Sequence, residues 1–538
     1  MSHEINVTAK SQPYIEPPST APDEDTKATI CLWNDDLVRE IIRHLYDVGQ
    51  KRSIVNLACT CKDTSEPALD ILWKDMKSLL PLFKILPCEE WRIDRIEARR
   101  GRQVRYVFKL IGSLDIDRQS EERFLRYAWR IRTLEVEYSN FIPVFLTDEV
   151  MSRIFSKWSL PYGLLPQLRA LEWHQLDKQS FASVTKLPGR LLKKLKLSGN
   201  TQNLTEVLTN ILPRLPELEQ LHITANIDGA RFVASSLTEH MAKLRVLSLR
   251  RQSLLPSDAL ILAMLPSLNQ LSLYVDPDGL RTPLARMDNG FPALQHLRIM
   301  SKQVGEHIDA FVSAITSPLI EIALHVDVCP LEEDLHKYFQ FLAGTPFTLV
   351  NVEFQTIGSI TSYHEHIAGS ELQSYKITSA TLEPALSITS LTSLKIRTRH
   401  LEINVGFLIN VSSVLPHIKE LCLMHGSDTE SCSFVPLSGL IPLARHCPDL
   451  EMIALDITAN DEEIGPLPDP ELFQSRWLDL HVGPGYNENP QFVLDYLLRI
   501  FPGLRRLSIE GEDALATEAQ GSESWRINWQ EVRTSLIS

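Results

Sequence analysis

Few residue groupings in this chain have the types and spacing for covalent chemistry. His364-Glu365-His366 carries metal-ligand side chains, but no third donor follows at a diagnostic interval, so a surface loop is the expectation. Cys59-Thr60-Cys61 lacks a matching second pair, so no zinc site is expected. The chain has no Gly-x-x-x-x-Gly-Lys-Ser/Thr phosphate loop, no Gly-x-Ser-x-Gly elbow and no His-Glu-x-x-His run. No catalytic role, cofactor or metal is therefore expected. What remains is recognition chemistry. Arg250, Tyr274 and Arg298 fall at equivalent places in successive segments, with His222 and His296 beside them. Arg and Tyr are common energetic anchors of interfaces. Guanidinium and imidazole groups together suit an acidic or phosphorylated protein segment. These five residues form the candidate partner-binding set.

The elements that position them are written in a recurring cadence. It is cleanest at Leu218-x-x-Leu221-x-Ile223-x-x-Asn226. It returns from Leu192, Leu244, Leu268, Leu294, Ile418, Leu450 and Leu504, with weaker copies from Leu168, Leu319, Leu349, Leu372 and Leu391. Leu-x-Leu has the period of a strand with one buried face. A repeat of roughly 24 to 26 residues is the signature of a leucine-rich-repeat solenoid. The intervening stripes, such as Leu204, Val207, Leu208, Ile211 and Leu212, have helical spacing. About fifteen strands are expected in a parallel concave sheet, with helices on the convex side. The residues flanking each leucine pair then point across the concave surface. Besides the five, that stripe includes Lys194, Lys196, His325, Lys376 and Arg397, with Glu135, Glu137, Glu172 and Glu353 interspersed.

Composition narrows the class. At 538 residues the chain exceeds one compact core, and the repeats favour an array. The net charge of −14 argues against general nucleic-acid binding. No run of about 18 apolar residues suggests a membrane span, and residues 1 to 27 lack a signal-peptide core. Eight scattered cysteines read as thiols. A cytoplasmic or nuclear protein is the expectation.

Ahead of the array lies a different pattern. Residues 1–29 are polar and proline-rich and read as a disordered tail. Asn34, Asp35 and Asp36 can cap and charge a helix carrying Leu37, Ile41 and Leu45, with Val38 and Ile42 alongside. Gly49 is a stop, a second helix carries Ile54, Leu57, Ala58 and Cys61, and a third from Ser65 carries Leu69, Leu72 and Trp73. Three short helices make a small core, and apolar surface left over implies a partner.

These residues carry a resemblance. Trp33-Asn-Asp-Asp-Leu37-Val-Arg-Glu-Ile41-Ile-Arg-His-Leu45, then Ser53-Ile-Val-Asn-Leu57-Ala-Cys-Thr-Cys61 and Ser65-Glu-Pro-Ala-Leu69-Asp-Ile-Leu-Trp73, resemble an F-box of the fungal type. With repeats behind it, the chain resembles an F-box and leucine-rich-repeat protein. That resemblance implies docking on the Skp-type adaptor of a cullin–RING ubiquitin ligase through Leu37, Ile41, Leu45, Leu57, Cys61 and Trp73. It implies a substrate-receptor role in an SCF-type ligase. The alternative is a repeat scaffold that binds a protein partner without directing ubiquitin transfer.

The expected fold is thus α/β: a three-helix F-box-like module over 30–75, then a leucine-rich-repeat solenoid over 131–510. Residues 76–130 are expected as linker helices, with the basic run from Arg92 to Lys109 as a solvated loop and strand edge. Residues 511–538 are expected as a cap or tail, with Trp525, Ile527 and Trp529 as its apolar cluster.

Overall fold

The computed structural model describes residues 35–87, 90–97, 104–112, 116–136, 144–146, 150, 152–154, 163–174, 184–199, 204–225, 241–253, 256–276, 290–357, 375–425, 434–459, 477–483, 485, 487, 489–509 and 523–537. The expectations placed on residues 1–29, Trp33, Asn34, Glu137, His364, His366 and Leu372 lie outside these. For Arg250 and Trp525 the backbone alone is described.

Three helices open the chain: α1 (Asp35–Asp47), α2 (Lys51–Thr60) and α3 (Lys62–Leu72). Asp35 and Asp36 place negative charge at the amino end of α1. Gly49, at φ 78°, turns the chain sharply after α1 in a conformation that glycine alone adopts without strain. The core is small: Val38, Ile42, Ile54 and Ala68, flanked by Leu45, Tyr46, Leu57, Ala58, Ile71 and Leu72. The third helix starts at Lys62, earlier than its Pro67 suggests. Thr64 explains this. Its buried hydroxyl donates to the Leu57 carbonyl at 2.8 Å and to the Cys61 carbonyl at 3.2 Å, tying the end of α2 to the start of α3.

The array begins sooner than the cadence indicates. Strand β1 (Asp75–Met76) follows α3 almost at once and pairs in parallel with β4 (Thr133–Val136). Between them lies a detour that is not the run of linker helices expected for 76–130. It holds a short helix (Leu80–Phe83), an antiparallel hairpin of β2 (Glu90–Glu97) and β3 (Val104–Ile111), and a helix (Arg118–Ala128) capped by Asp117. The hairpin forms because residues 104–111 are rich in β-branched and aromatic β-formers. The described parts of the basic run, Arg92–Glu97 and Val104–Lys109, therefore lie on paired strands, and Arg99, Arg100 and Arg102 fall outside the described residues. Asp94 bridges Arg92 at 2.7 Å and Lys109 at 2.9 Å across the pair. A third strand, β5 (Val144–Leu146), joins β3 in parallel.

The main sheet then runs through β6 (Ala170–His174), β7 (Lys194–Gly199), β8 (Gln220–Ala225), β9 (Val246–Ser253), β10 (Gln270–Val275), β11 (His296–Ser301), β12 (Glu321–Val326) and β13 (Asn351–Thr356). After β14 (Ile377–Thr378), it continues with β15 (Ser393–Thr398). Beyond β16 (Leu401–Glu402) come β17 (Glu420–His425), β18 (Val435–Pro436), β19 (Met452–Leu455), β20 (Ile457–Thr458), β21 (Leu478–Val482) and β22 (Leu504–Ile509). Fifteen of these form one sheet, and every pairing within it is parallel. Of the copy expected from Leu372, Ile377 falls in β14 outside that sheet, in which β13 pairs directly with β15. That copy's place in the strand count is taken by β1.

Register explains the cadence. Leu195, Leu221, Leu247, Leu271, Leu297, Ile322 and Val352 are successive Cα partners and all are buried. The turn before most strands of the main sheet is clamped to the previous repeat. Glu219 and Gln220 both donate their N–H groups to the Lys193 carbonyl, at 2.8 and 2.9 Å. Arg245 and Val246 do the same to Glu219, and Asn269 and Gln270 to Arg245. This backbone seam needs no asparagine ladder, so few repeats require one. Convex-side helices such as Glu332–Ala343 and Val405–Val414 seal one continuous core. At the far end a helix (Glu523–Ile537) covers the last repeat. Its Trp529 is fully buried and donates from Nε1 to the Gly485 carbonyl at 2.9 Å, while Ile527 stays exposed. Among the described residues, no helix is long and apolar enough to cross a membrane.

Candidate functional site

Two surfaces carry recognition chemistry: a face of the helical module and a groove in the concave sheet.

In α1, adjacent apolar pairs one residue apart point about 100° apart around the helix. Val38 and Ile42 take the interior. Leu37 and Ile41, one turn apart, are left 46% and 49% exposed, and Val55 of α2 is 47% exposed. Leu45 and Leu57 are partly buried against the small core. Cys61 is exposed, and a hydrogen bond with Thr64 holds its thiol below the ordinary range. Trp73, the sixth residue of the expected docking set, is placed differently. It packs against the array, with its ring 4.7 Å from that of Tyr127. Its position at the end of α3, just before β1, makes it a joint between module and solenoid.

A second feature of that joint went unseen in the sequence. The Arg130 side chain is only 7% exposed, and it pairs with Glu66 and Asp70 of α3. It also donates to the Glu66 carbonyl at 3.3 Å. Lys74 accepts the N–H groups of Arg132 and Thr133 at 2.8 and 2.9 Å. Nothing in the composition near Arg130 distinguishes it from its basic neighbours, since its partners lie some sixty residues away.

On the concave side, a groove of about 250 Å³ is lined by β8 to β12. It brings together three of the five expected binding residues, His222, His296 and Arg298. Tyr274 lies on β10 but outside this lining, half-buried, with burial foremost raising its phenol above the usual range. The floor was missed. Ser248 and Ser272 are register partners on β9 and β10, between His222 on β8 and Arg298 on β11. The signal was present: two successive repeats read Leu-Ser-Leu, placing small side chains where neighbours carry long ones. The Ser272 hydroxyl is shielded and has no hydrogen-bond partner among the described residues.

The charges of the concave face are mutually engaged. Glu172 receives Lys194 at 2.6 Å and Lys196 at 3.0 Å. His296 Nδ1 meets Glu321 at 3.1 Å. Glu353 takes His325 at 2.9 Å and Arg298 at 3.8 Å, and Glu420 takes Lys395 at 2.6 Å. The His325 hydrogen bond, working against burial, holds the Glu353 carboxyl below its usual range, with the charges of His325, Arg298 and Lys395 adding to it. Among the described residues, cross-strand pairing of this kind compensates much of the positive charge that the expected acidic segment would meet. Lys376 does not belong to the main sheet. It precedes β14 in a two-stranded side sheet and pairs with Glu402 at 2.6 Å. Among the described residues, no group of three or more His, Cys, Asp or Glu is placed to hold a metal ion.

No family model matches this chain, and no curated protein does. Solved structures similar to it include an internalin from Listeria monocytogenes. That structure is 14% identical, with 77% of this chain and 87% of that chain covered, at a TM-score of 0.33. Another is a plant peptide hormone receptor, RGFR1, in complex with RGF2. It is 10% identical, with 72% and 52% covered, at a TM-score of 0.23. The repeat fold rests on the chain's own cadence and register: fifteen strands in one parallel sheet, backed by helices, make a leucine-rich-repeat α/β solenoid.

Proposed function

We propose that this chain is a substrate-recognition subunit of an SCF-type cullin–RING ubiquitin ligase, acting in the cytoplasm or nucleus. In this reading the helical module docks on a Skp-type adaptor and the solenoid holds a protein target near the ubiquitin-loading enzyme. The mechanism is geometric: effective concentration is raised and no bond-making chemistry is supplied by the chain itself. The observation that carries it is the pair Leu37 and Ile41. They form an exposed apolar face on a helix whose other stripe already fills the module core. Leu45, Leu57 and Cys61 extend the docking surface, and Trp73 serves the joint. Co-precipitation of the purified chain with the adaptor, followed by reconstituted ubiquitination of captured proteins, tests it. Adaptor capture without ubiquitin transfer, or no capture, would favour the alternative scaffold that binds a protein partner only. That alternative draws support from the concave groove, which is built entirely from the repeats.

A further inference from the structure

The groove's dimensions and charge bear on what it receives. His222, Ser248, Ser272 and Arg298 occupy one row across four adjacent parallel strands. At about 4.8 Å per strand, the two bulky residues stand roughly 14 Å apart with two serines between them. The result is a trough with a low polar floor, flanked by an imidazole and a guanidinium. Its volume of about 250 Å³ admits one large side chain and not a folded surface. Gln270 and the carboxylate of Glu321 lie along its side.

Charge rules out a further anion as the best guest. Arg298 already faces Glu353, and His296 already meets Glu321. A carboxylate or phosphate entering here would be repelled by two nearby carboxylates and would compete with them for the same cations. A neutral aromatic ring does neither. A guanidinium can stack on a ring with its face while its N–H edge keeps a carboxylate. The Ser272 hydroxyl, without a partner among the described residues, can turn about χ1 toward the polar end of such a ring.

Building on the reading that the concave face receives a protein partner, we infer that this trough is the seat of a single aromatic anchor residue of that partner. Tyrosine in an extended, non-phosphorylated segment is the guest that fits. The ring lies over Ser248 and Ser272 against the Arg298 guanidinium, and the phenol reaches Ser272 or Gln270.

Saturation-transfer NMR on the full chain tests this with three capped probes: acetyl-Gly-Tyr-Gly-amide, its phosphotyrosine counterpart and acetyl-Gly-Leu-Gly-amide. The tyrosine probe should give the strongest transfer, concentrated on its ring protons. Ser272→Leu and, separately, Ser248→Leu should abolish that signal by filling the trough. Arg298→Gln should weaken binding about two- to fivefold. Thermal melts of each variant verify folding. Preference for the phosphotyrosine probe, equal transfer to the leucine probe, or unchanged transfer in both folded serine variants would each overturn the inference. Adaptor capture measured on the same variants separates the two proposals, because none of these substitutions touches the module.

Discussion

Arg130 and Asp70 form an ion pair across 60 residues of sequence, and it joins the helical module to the array. The two side chains are unequally buried, at 7% and 44% exposed. Removing the cation leaves Asp70 and Glu66, which water can reach. Neutralising the carboxylates leaves a buried guanidinium without counter-ions, held only by neutral acceptors such as the Glu66 carbonyl. Asp70→Asn with Glu66→Gln should therefore cost more, about 3 kcal/mol, than Arg130→Met, about 1 kcal/mol. Denaturant melts of the two variants check the order. In both, hydrogen exchange should rise over residues 35–72 before it rises in the repeats.

Trp529 should matter more than its place near the carboxyl end suggests. It is wholly buried and its indole N–H is satisfied by Gly485. Trp529→Ala should cost about 3 to 5 kcal/mol and expose the terminal repeat, read as a lower melting temperature with increased aggregation.

Asp309 lies in the first turn of the helix Glu306–Ser313. Its carboxyl is pushed up to about 6, by burial and then by Glu306. A carboxyl raised on folding contributes stability while protonated and loses it as pH rises through the folded value. Asp309→Asn should thus stabilise the protein at pH 8, by about 1 to 2 kcal/mol after the lost helix-dipole term. The two proteins should melt together below pH about 4. A stabilisation that persists undiminished in acid would contradict this account.

Glu353 has the opposite sign. Its carboxyl is held low by the His325 hydrogen bond, so its contribution is present above the unfolded value and fades as pH falls through the folded one. Glu353→Gln should cost about 1 kcal/mol at pH 7, and the difference from wild type should shrink below pH about 4. A pH series of thermal melts decides it.

The repeats were legible because a parallel ladder stacks like on like. Leu221, Leu247, Leu271 and Leu297 are both sequence equivalents and register partners. The limit has the same origin: a leucine at the right interval carries no information about whether its neighbours pair, and Ile377, in the copy expected from Leu372, pairs with Leu401 of a side sheet. In α1 the sequence reads as one apolar stripe of Leu37, Ile41 and Leu45 with Val38 and Ile42 beside them, and that Val38 and Ile42 are the ones that turn inward depends on Ile54 and Ala68, supplied by other helices. The sequence leaves Trp73 open between docking residue and internal core, because Tyr127, against which its ring packs, is remote in sequence. The cations of the concave face were visible, but the carboxylates that engage them come from the next strand. His296 and Glu321, or His325 and Glu353, meet only once the register is fixed.

Leu37 and Ile41 give the central claim its sharpest test. Both are half-exposed, so Leu37→Asp with Ile41→Asp should leave the fold nearly unchanged, within about 0.5 kcal/mol. Val38→Asp with Ile42→Asp should unfold the module instead. The measurement is calorimetric titration of the full chain with purified Skp-type adaptor, wild type beside the Leu37→Asp, Ile41→Asp variant. The account predicts saturable binding by wild type and loss of at least a hundredfold in affinity in the folded variant. Equal affinity in the two, or no binding by wild type, would contradict it and leave the solenoid as a scaffold with a helical cap.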